Sequence, residues 1–331
     1  METALARDDI RHGGQLPNIA IIGTGLIGCS WAAMMAATGR KVAIFDTRPE
    51  AGEAFQDFWT SVKPALVELG LADPDCQPDY RICTSLSDAL RDADFVFECI
   101  PERLDMKRAL YGEMEPLLKP TAIVATSSSG LKLSDLQAGW SNPGRVIIGH
   151  PFNPPHLVPL VELYANDQTD ADVLPTARRL YESCGKVVII LKREVMGHVA
   201  NRLQAAIWRE AIHLVESDVA SVEDVNAAVW AGPGLRWAIM GPHMLLHLGG
   251  GAGGLRAYCE QFTQSYTEWW DDLGKPQLTP ETIDRLVSGL SEEIDGRDYA
   301  TLRQQRDSQL IAVLKALSET RRSFGTVPEL A

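Results

Sequence analysis

The sequence predicts an α/β fold: a mostly parallel sheet covered by helices over residues 1–195, followed by an all-α domain over residues 196–331. Three observations predict it. Short β-branched runs alternate with helix-length segments through the first part of the chain, the pattern of repeated βαβ units. Those runs are almost continuously apolar (Ile-Ala-Ile-Ile, Phe-Val-Phe), as strands buried on both faces must be. Beyond Gly197 strand-like runs stop and helical patterns take over. The 331-residue length also suits two domains of roughly 100–200 residues each.

The strands are expected at Asn18–Gly23, Lys41–Asp46, Asp94–Cys99, Ala122–Thr126, Val146–His150 and Val187–Leu191. Helices Leu26–Thr38 and Leu104–Leu118 lie between them. Pro49 to Leu71 reads as a long helix with Pro49 in its first turn, where a missing N–H costs nothing, and a polar loop with Pro74 and Pro78 follows. In the second domain the helical segments are Gly197–Asp218, Val222–Trp230, Leu255–Trp270, Thr279–Ile294 and Asp298–Ser323. The glycine-rich stretch Leu248–Gly254 reads as a hinge, a lid or a plain loop.

Composition closes off several function classes. The net charge of −13 makes nucleic acid and anionic membrane surfaces poor partners. No apolar run approaches the roughly 20 residues that span a bilayer. Met1–Gln15 is polar, without the apolar core of a secretory signal, so a cytoplasmic protein is expected. The cysteines Cys29, Cys76, Cys83, Cys99, Cys184 and Cys259 are scattered without metal-ligand spacing and read as reduced thiols. His243 and His247 stand one helical turn apart, but no glutamate lies between them and no third ligand is evident, so no metal is expected.

The first strand ends in Gly23-x-Gly25-x-x-Gly28 and an apolar helix follows at once. Gly23 suits a tight turn, Gly25 a close approach of backbone to a pyrophosphate, and Gly28 close packing of helix on strand. The helix start, with Leu26 and Ile27, offers free N–H groups and a positive dipole end to phosphates. Asp46 ends the second strand about 20 residues on, where the dinucleotide fingerprint requires an acid. It would accept from the adenosine ribose hydroxyls and repel a 2′-phosphate, which favours NAD, although Arg48 nearby keeps NADP in play. The sheet domain is therefore expected to be of the Rossmann type.

His150 closes a strand, and Glu162 lies in another extended apolar run. Pro-Phe-Asn-Pro-Pro between them cannot be helical, and a chain reversal there would bring the two together. A carboxylate in an apolar strand needs a partner, and an imidazole supplies one. Such a dyad is a general-base device in which the carboxylate fixes the tautomer and orients the ring. A core histidine with a glutamate on an exposed edge remains the alternative at this point.

Several motifs together resemble the L-3-hydroxyacyl-CoA dehydrogenase family over nearly the whole chain. They are GTGLIG at 23–28, CIPERLDMK at 99–107, TSSSGLK at 126–132, HPFNPPHLVPLVE at 150–162, GHVANR at 197–202 and GP at 241–242. The resemblance implies a catalytic set of His150, Glu162, Ser129 and Asn201, with Ser129 and Asn201 holding substrate oxygens. It also implies that Pro101, Glu102, Lys107, Ser129 and Asn153 surround the cofactor. A two-fold dimer through the helical domain is expected by the same analogy.

One segment departs from the acyl-CoA pattern. Residues 232–242 read GPGLRWAIMGP, and the extra Leu-Arg-Trp-Ala resembles a subgroup acting on free hydroxy acids, of the carnitine 3-dehydrogenase and L-gulonate 3-dehydrogenase (lambda-crystallin-like) kind. Arg236 would anchor a free carboxylate bidentately, and Trp237 could hold a trimethylammonium group over its indole face. Trp269 and Trp270 read as further aromatic walls or as core residues, and His156, in the Pro-Pro-His turn, as a substrate contact or as a residue without a role. The excursion at 49–80 offers only Lys63 as an interior basic residue, a poor match for CoA. The expected activity is oxidation of a small L-3-hydroxy acid with NAD, carnitine-like first, gulonate-like second, a CoA thioester third. A retired, non-catalytic NAD-binding protein is disfavoured by the intact four-residue set.

Overall fold

The computed structural model of the chain describes residues 16–324, so the expectation for Met1–Gln15 lies outside the described residues. In chain order the first elements are β1 (Ile19–Ile22), α1 (Leu26–Ala37), β2 (Val42–Phe45), α2 (Ala51–Glu68), β3 (Tyr80–Ile82), α3 (Leu86–Leu90) and β4 (Phe95–Glu98). There follow α4 (Leu104–Met114), β5 (Ile123–Thr126), α5 (Leu133–Gln137), β6 (Val146–Pro151), β7 (Leu160–Tyr164), α6 (Val173–Glu182) and β8 (Val187–Ile190). The remainder is helical: α7 (Ala200–Glu216), α8 (Val222–Ala231), α9 (Pro233–Ile239), α10 (Pro242–Gly249), α11 (Gly254–Asp272), α12 (Pro280–Ile294) and α13 (Tyr299–Phe324). The chain divides into two compact units. Within the described residues one unit runs to Asn201 and takes up the chain again from Gln305, and the other is Arg202–Gln304.

All strands join one sheet in the order β3-β2-β1-β4-β5-β6-β7-β8. Every neighbouring pair is parallel except β6–β7, which is antiparallel. The strand order reverses between β1 and β4, so a ligand crevice is expected at their carboxyl ends. Side chains alternate across the sheet: Ile19, Ile21, Phe95 and Phe97 enter one core, Ala20, Ile22 and Val96 the other. Helix α1 is apolar on every side and buried from Gly28 to Ala36. Its Trp31 packs 5.0 Å from the Phe97 ring and 5.3 Å from Tyr181. This packing fixes the helix start against the end of β1, which is what the site requires.

The elements depart from the sequence-based expectation at several places, the short helices α6, α9 and α10 among them. A short edge strand, β3, was not expected; its Tyr-Arg-Ile is half polar and too brief to stand out. Helix α2 starts at Ala51 with Glu50 as its cap residue, so Pro49 precedes the helix, and Pro64 lies inside it. The Leu248–Gly254 run is a packed corner between α10 and α11. A Cβ on Gly250 would meet the Gly254 carbonyl at 1.9 Å, Gly254 has φ +61°, and His247 Nδ1 accepts the Leu255 N–H. Close backbone approach explains these glycines without a lid.

The helical unit uses ordinary cap chemistry. Ser221 accepts the Asp224 N–H at the start of α8, Thr279 accepts the Thr282 N–H at α12, and prolines open α9, α10 and α12. In the sheet unit, Lys315 of α13 pairs with Glu68 of α2 at 3.0 Å. All the cysteines are unpaired thiols. Among the described residues no helix is long and apolar enough to cross a membrane.

Candidate active site

The glycine turn sits where β1 hands over to α1. Gly23 has φ +96°, and a Cβ there would stand 2.9 Å from the Cys99 carbonyl. A Cβ on Gly28 would fall 1.9 Å from the Gly23 carbonyl, so helix and strand touch through it. Gly25, the cap residue of α1, faces open space and supplies no side-chain cap. The first N–H groups of the helix, at the exposed Leu26 and half-buried Ile27, are therefore available to an anion. A cleft of about 810 Å³ opens beside them, lined by Gly25, Asp46, Arg48, Pro101 and Met106 among others. That volume lies in the range of small-molecule sites, roughly 300–1,000 Å³. The uncapped helix end and the adjoining cleft fit a dinucleotide.

Asp46 is more heavily engaged than its motif suggests. Its Oδ2 accepts from the Thr24 N–H (2.6 Å) and hydroxyl (2.7 Å), and its Oδ1 from the Arg48 N–H at 2.9 Å. The Arg48 guanidinium reaches both carboxylate oxygens and the Thr24 carbonyl. Burial opposes ionisation, but these donors overturn it and hold the carboxyl well below the usual range.

Strand β4 delivers the next wall. Glu98 is completely buried, with no side-chain exposure, and accepts from Lys107 Nζ (2.7 and 2.8 Å), the Tyr111 hydroxyl (2.7 Å), the Thr126 hydroxyl (2.6 Å) and the Ile100 N–H (2.9 Å). Lys107 is turned inward to this carboxylate, and its Nζ is 3.9 Å from Glu102. Glu102 organises the loop after β5. Its Oε1 accepts the Ser128 hydroxyl (2.7 Å) and the N–H groups of Ser129, Gly130 and Leu131 at 2.8–3.2 Å. Burial opposes this charge too, and the donors win, so the carboxyl stays ionised. The loop so held leaves Ser129 exposed beyond the carboxyl end of β5; Pro101 and Asn153 are exposed as well.

The antiparallel pair β6–β7 places His150 directly opposite Glu162 in register. Same-face partners in such a pair lie within side-chain reach. His150 Nδ1 is 2.8 Å from Glu162 Oε2, with the side chains 6% and 1% exposed. Glu162 Oε1 accepts the Val199 and Ala200 N–H groups at 2.8 and 3.0 Å, so the carboxylate also caps the start of α7. Burial works against its charge, but His150 and these two donors lower its pKa below the usual carboxylate value. One residue on, Asn201 Nδ2 approaches the Ser129 carbonyl at 3.4 Å. His150, Glu162, Ser129 and Asn201 are thus linked within one unit of the molecule, and Glu162 is buried against His150 instead of lying on an exposed edge.

The loop between β6 and β7 is pinned from behind. His156 Nδ1 lies 2.7 Å from the Ser30 hydroxyl of α1. The buried Lys186 amine donates to the carbonyls of Pro155 and Val158 and lies 5.3 Å from the Trp31 ring centroid. Burial pushes the Lys186 pKa down to about 7.

Arg236 and Trp237 are adjacent on α9 in the helical unit, both exposed. The Arg236 charge acts on Tyr266 of α11, whose ring lies 5.2 Å from Trp269 and 5.5 Å from Trp270. Trp269 and Trp270 are 56% and 66% exposed, so they are not core residues of this chain alone.

Four groups that organise the site do not stand out in the sequence: Glu98, Thr24, Ser128 and His198, whose Nε2 lies 3.0 Å from the Ser128 carbonyl oxygen. Glu98 carried a usable signal, since a carboxylate inside Phe-Val-Phe-Glu needs a buried partner for the same reason that Glu162 does. The other three act through contacts distant in sequence, for which the sequence gives no sign.

Fold and cleft together define an NAD-dependent dehydrogenase of the Rossmann type. Comparison with known proteins supplies the family. Residues 18–195 match the NAD binding domain of 3-hydroxyacyl-CoA dehydrogenase and residues 197–282 match its C-terminal domain, so the chain belongs to the 3-hydroxyacyl-CoA dehydrogenase family, NAD-dependent oxidoreductases acting on CH–OH groups. It is 41% identical over 305 residues to the L-carnitine dehydrogenase of Nocardiopsis dassonvillei, covering 92% of this chain and 93% of that one. It is 40% identical over 318 residues to the L-carnitine dehydrogenase of Streptomyces griseus subsp. griseus, covering 96% and 93%. Among solved structures, 5-formyl-3-hydroxy-2-methylpyridine 4-carboxylic acid 5-dehydrogenase, an NAD+-dependent dismutase, superposes with a TM-score of 0.78 at 30% identity, covering 92% of this chain and 99% of that one.

Proposed function

We propose that the chain oxidises the 3-hydroxyl of a small free L-3-hydroxy acid to the 3-oxo acid, with L-carnitine as the first candidate. The observation that carries the chemistry is the buried His150–Glu162 pair. Glu162 can only accept, so Nδ1 of His150 carries the proton and Nε2 presents a lone pair. His150 takes the substrate hydroxyl proton at Nε2, and Glu162 stabilises the imidazolium that results. Ser129 and Asn201 hydrogen-bond the substrate oxygens and orient the C3–H bond. NAD, when bound, supplies the hydride acceptor. Gly25, Leu26 and Ile27 would cradle its phosphates on the turn that Gly23 and Gly28 shape, Asp46 would meet the adenosine ribose, and Pro101, Glu102, Ser129 and Asn153 would border it. Lys107 supports that wall from behind, through Glu98 and Glu102.

The free-acid reading rests on the L-carnitine dehydrogenase relatives and on α9. Arg236 is the carboxylate anchor, and Trp237, with Trp269 and Trp270, forms the aromatic surface for a trimethylammonium head. In this reading the helical unit Arg202–Gln304, and not the whole of 196–331, is the substrate and dimerisation domain of a cytoplasmic homodimer. Exposed Trp208, Leu235, Met244 and Leu248 in the helical unit are the apolar surface such a dimer would use.

The test is a panel of L-carnitine, L-gulonate, 3-hydroxybutyrate and 3-hydroxybutyryl-CoA, each assayed with NAD and NADP by NADH or NADPH absorbance. L-carnitine with NAD gives the highest kcat/KM, and Arg236→Ala cripples free-acid turnover. A clear preference for the thioester overturns the free-acid assignment; a clear preference for L-gulonate overturns carnitine alone.

A further inference from the structure

His198 lies in the Gly-His-Val-Ala-Asn-Arg segment that leads into α7, and the chemistry above makes no use of it. Its setting is unusual on four counts. It has φ +50°, a left-handed conformation uncommon outside glycine, which histidine, like asparagine and aspartate, adopts more readily than other side chains. It is only 4% exposed. Its Nε2 lies 3.0 Å from the carbonyl oxygen of Ser128, the residue before Ser129. Its ring centroid stands 5.0 Å from that of His150, with the planes tilted by 46°. Backbone strain at a functional site persists where the surroundings require the conformation. Here the requirement is visible. Gly197 and His198 both take positive φ, after which the chain turns the Val199 and Ala200 N–H groups onto Glu162.

We propose that His198 is the second imidazole of the site, a neutral positioning residue that ties the Ser128–Ser129 segment to His150. This rests on the reading of His150 as the base. A carbonyl oxygen can only accept, so Nε2 of His198 carries a proton, and burial beside the His150 ring disfavours a second proton at Nδ1, which leaves the neutral Nε2–H tautomer. One face of the site is then held in three linked ways: Glu162 holds Nδ1 of His150, the His198 ring flanks the His150 ring, and His198 Nε2–H holds the Ser128 carbonyl. When His150 takes up the substrate proton, its neighbour must stay neutral, because two imidazolium rings at this separation repel in a buried setting.

The charged and titratable groups facing His198 are His150 on β6, Glu162 on β7 and Glu102 after β4. Burial lowers the His198 pKa most strongly and His150 lowers it further, while the Ser128 carbonyl and the two carboxylates offset part of this. His198 therefore takes up a second proton only at lower pH than an ordinary histidine does.

Three variants separate the roles: His198→Phe keeps a ring and loses the donor, His198→Gln keeps a donor within reach of Ser128 and loses the ring, and His198→Ala loses both. With NAD and the best substrate of the panel, His198→Phe lowers kcat by about tenfold or more. His198→Gln recovers most of that loss, and His198→Ala is the worst of the three. The acid limb of log kcat/KM against pH steepens from slope one toward slope two in the wild type and keeps slope one in His198→Gln. Wild-type kcat and profile in a folded His198→Phe would sink the proposal. So would equal damage in Phe and Gln variants with an unchanged acid limb, which marks a packing role. A second reading needs neither variants that fold well nor a substrate. In 13C-histidine-labelled wild-type protein, the His198 ring stays neutral as pH falls through 6.5, the ordinary histidine value, while a His198 that is cationic at neutral pH overturns the assignment. If no substrate of the panel turns over, the function reading fails, and this titration still decides the state of the imidazole pair.

Discussion

Replacing Glu162 by glutamine tests the site at its narrowest point. Three donors converge on this carboxylate: His150 Nδ1–H at 2.8 Å, Val199 N–H at 2.8 Å and Ala200 N–H at 3.0 Å. Glutamine is nearly isosteric but offers one oxygen and one NH2. If its oxygen faces His150, the NH2 confronts two backbone donors at the start of α7. Each donor left without an acceptor costs about 1–3 kcal/mol, so this orientation is disfavoured by about 2–4 kcal/mol once the pair relaxes together. If the oxygen faces the backbone pair, the NH2 donates to Nδ1 and the ring proton moves to Nε2. His150 then points a proton at the substrate hydroxyl, where a base needs a lone pair. The productive tautomer survives in the minor orientation alone, and 2–4 kcal/mol corresponds to about a 30- to 1,000-fold loss in kcat. The assay is steady-state NADH formation at saturating substrate, with NAD affinity from intrinsic fluorescence and folding from thermal denaturation. NAD affinity is expected to hold, because Glu162 is not part of the glycine turn. A folded Glu162→Gln protein with kcat within about threefold of wild type would refute the tautomer argument.

Other expectations follow from the same geometry. Gly28→Ala drives a Cβ onto the Gly23 carbonyl, so it should cost about 1–3 kcal/mol in stability and weaken NAD binding, whereas Gly25→Ala, facing open space, should leave the melting temperature unchanged and weaken NAD binding alone; calorimetry and NAD titration check both. Lys107→Met strands the Glu98 carboxylate and should destabilise by about 3–5 kcal/mol in urea unfolding, with the Glu98→Gln, Lys107→Met double variant recovering part of the loss. Lys186 has its pKa lowered from 10.5 to about 7, so the folded state binds fewer protons than the unfolded state between those values and stability should rise with pH there. Relative to Lys186→Met, wild-type unfolding free energy should climb by about 1 kcal/mol per pH unit from pH 7 toward 10, and parallel profiles would count against a buried, depressed lysine.

How far these residues could be read without coordinates depends on the range of the interaction. The parallel strands are legible because burial on both faces leaves an unbroken apolar run, as in Ile19–Ile22 and Phe95–Phe97. The glycine turn and Asp46 were legible because a local backbone task fixes residue type at fixed spacing. Helices α9 and α10, of 7 and 8 residues, show too few turns for a periodicity to emerge. Lys107 shows a different failure: the sequence and the family resemblance gave it a place beside the cofactor, but not its direction. That is set by Glu98, Tyr111 and Thr126, which meet only after β4 and β5 pair. His198 fails likewise, because neither its positive φ nor its approach to Ser128 leaves any trace in Gly-His-Val-Ala.

The His150–Glu162 contact depends most on a feature outside the pair itself. A parallel sheet would have carried the chain through a helix after β6 and returned it elsewhere; instead the loop 152–159 reverses at once and makes the one antiparallel pairing. In such a pairing a one-residue slip turns every side chain to the opposite face. Glu162 would then point away from His150 and leave the Val199 and Ala200 N–H groups without their acceptor. What prevents the slip is the anchoring of the loop: His156 on Ser30 of α1, and Lys186 on the Pro155 and Val158 carbonyls. Both anchors draw the loop toward α1, the helix whose first turn forms the phosphate cradle. The cofactor cradle and the base thus take their positions from the same buried helix, and a disturbance at Ser30 or Lys186 reaches the base through strand register.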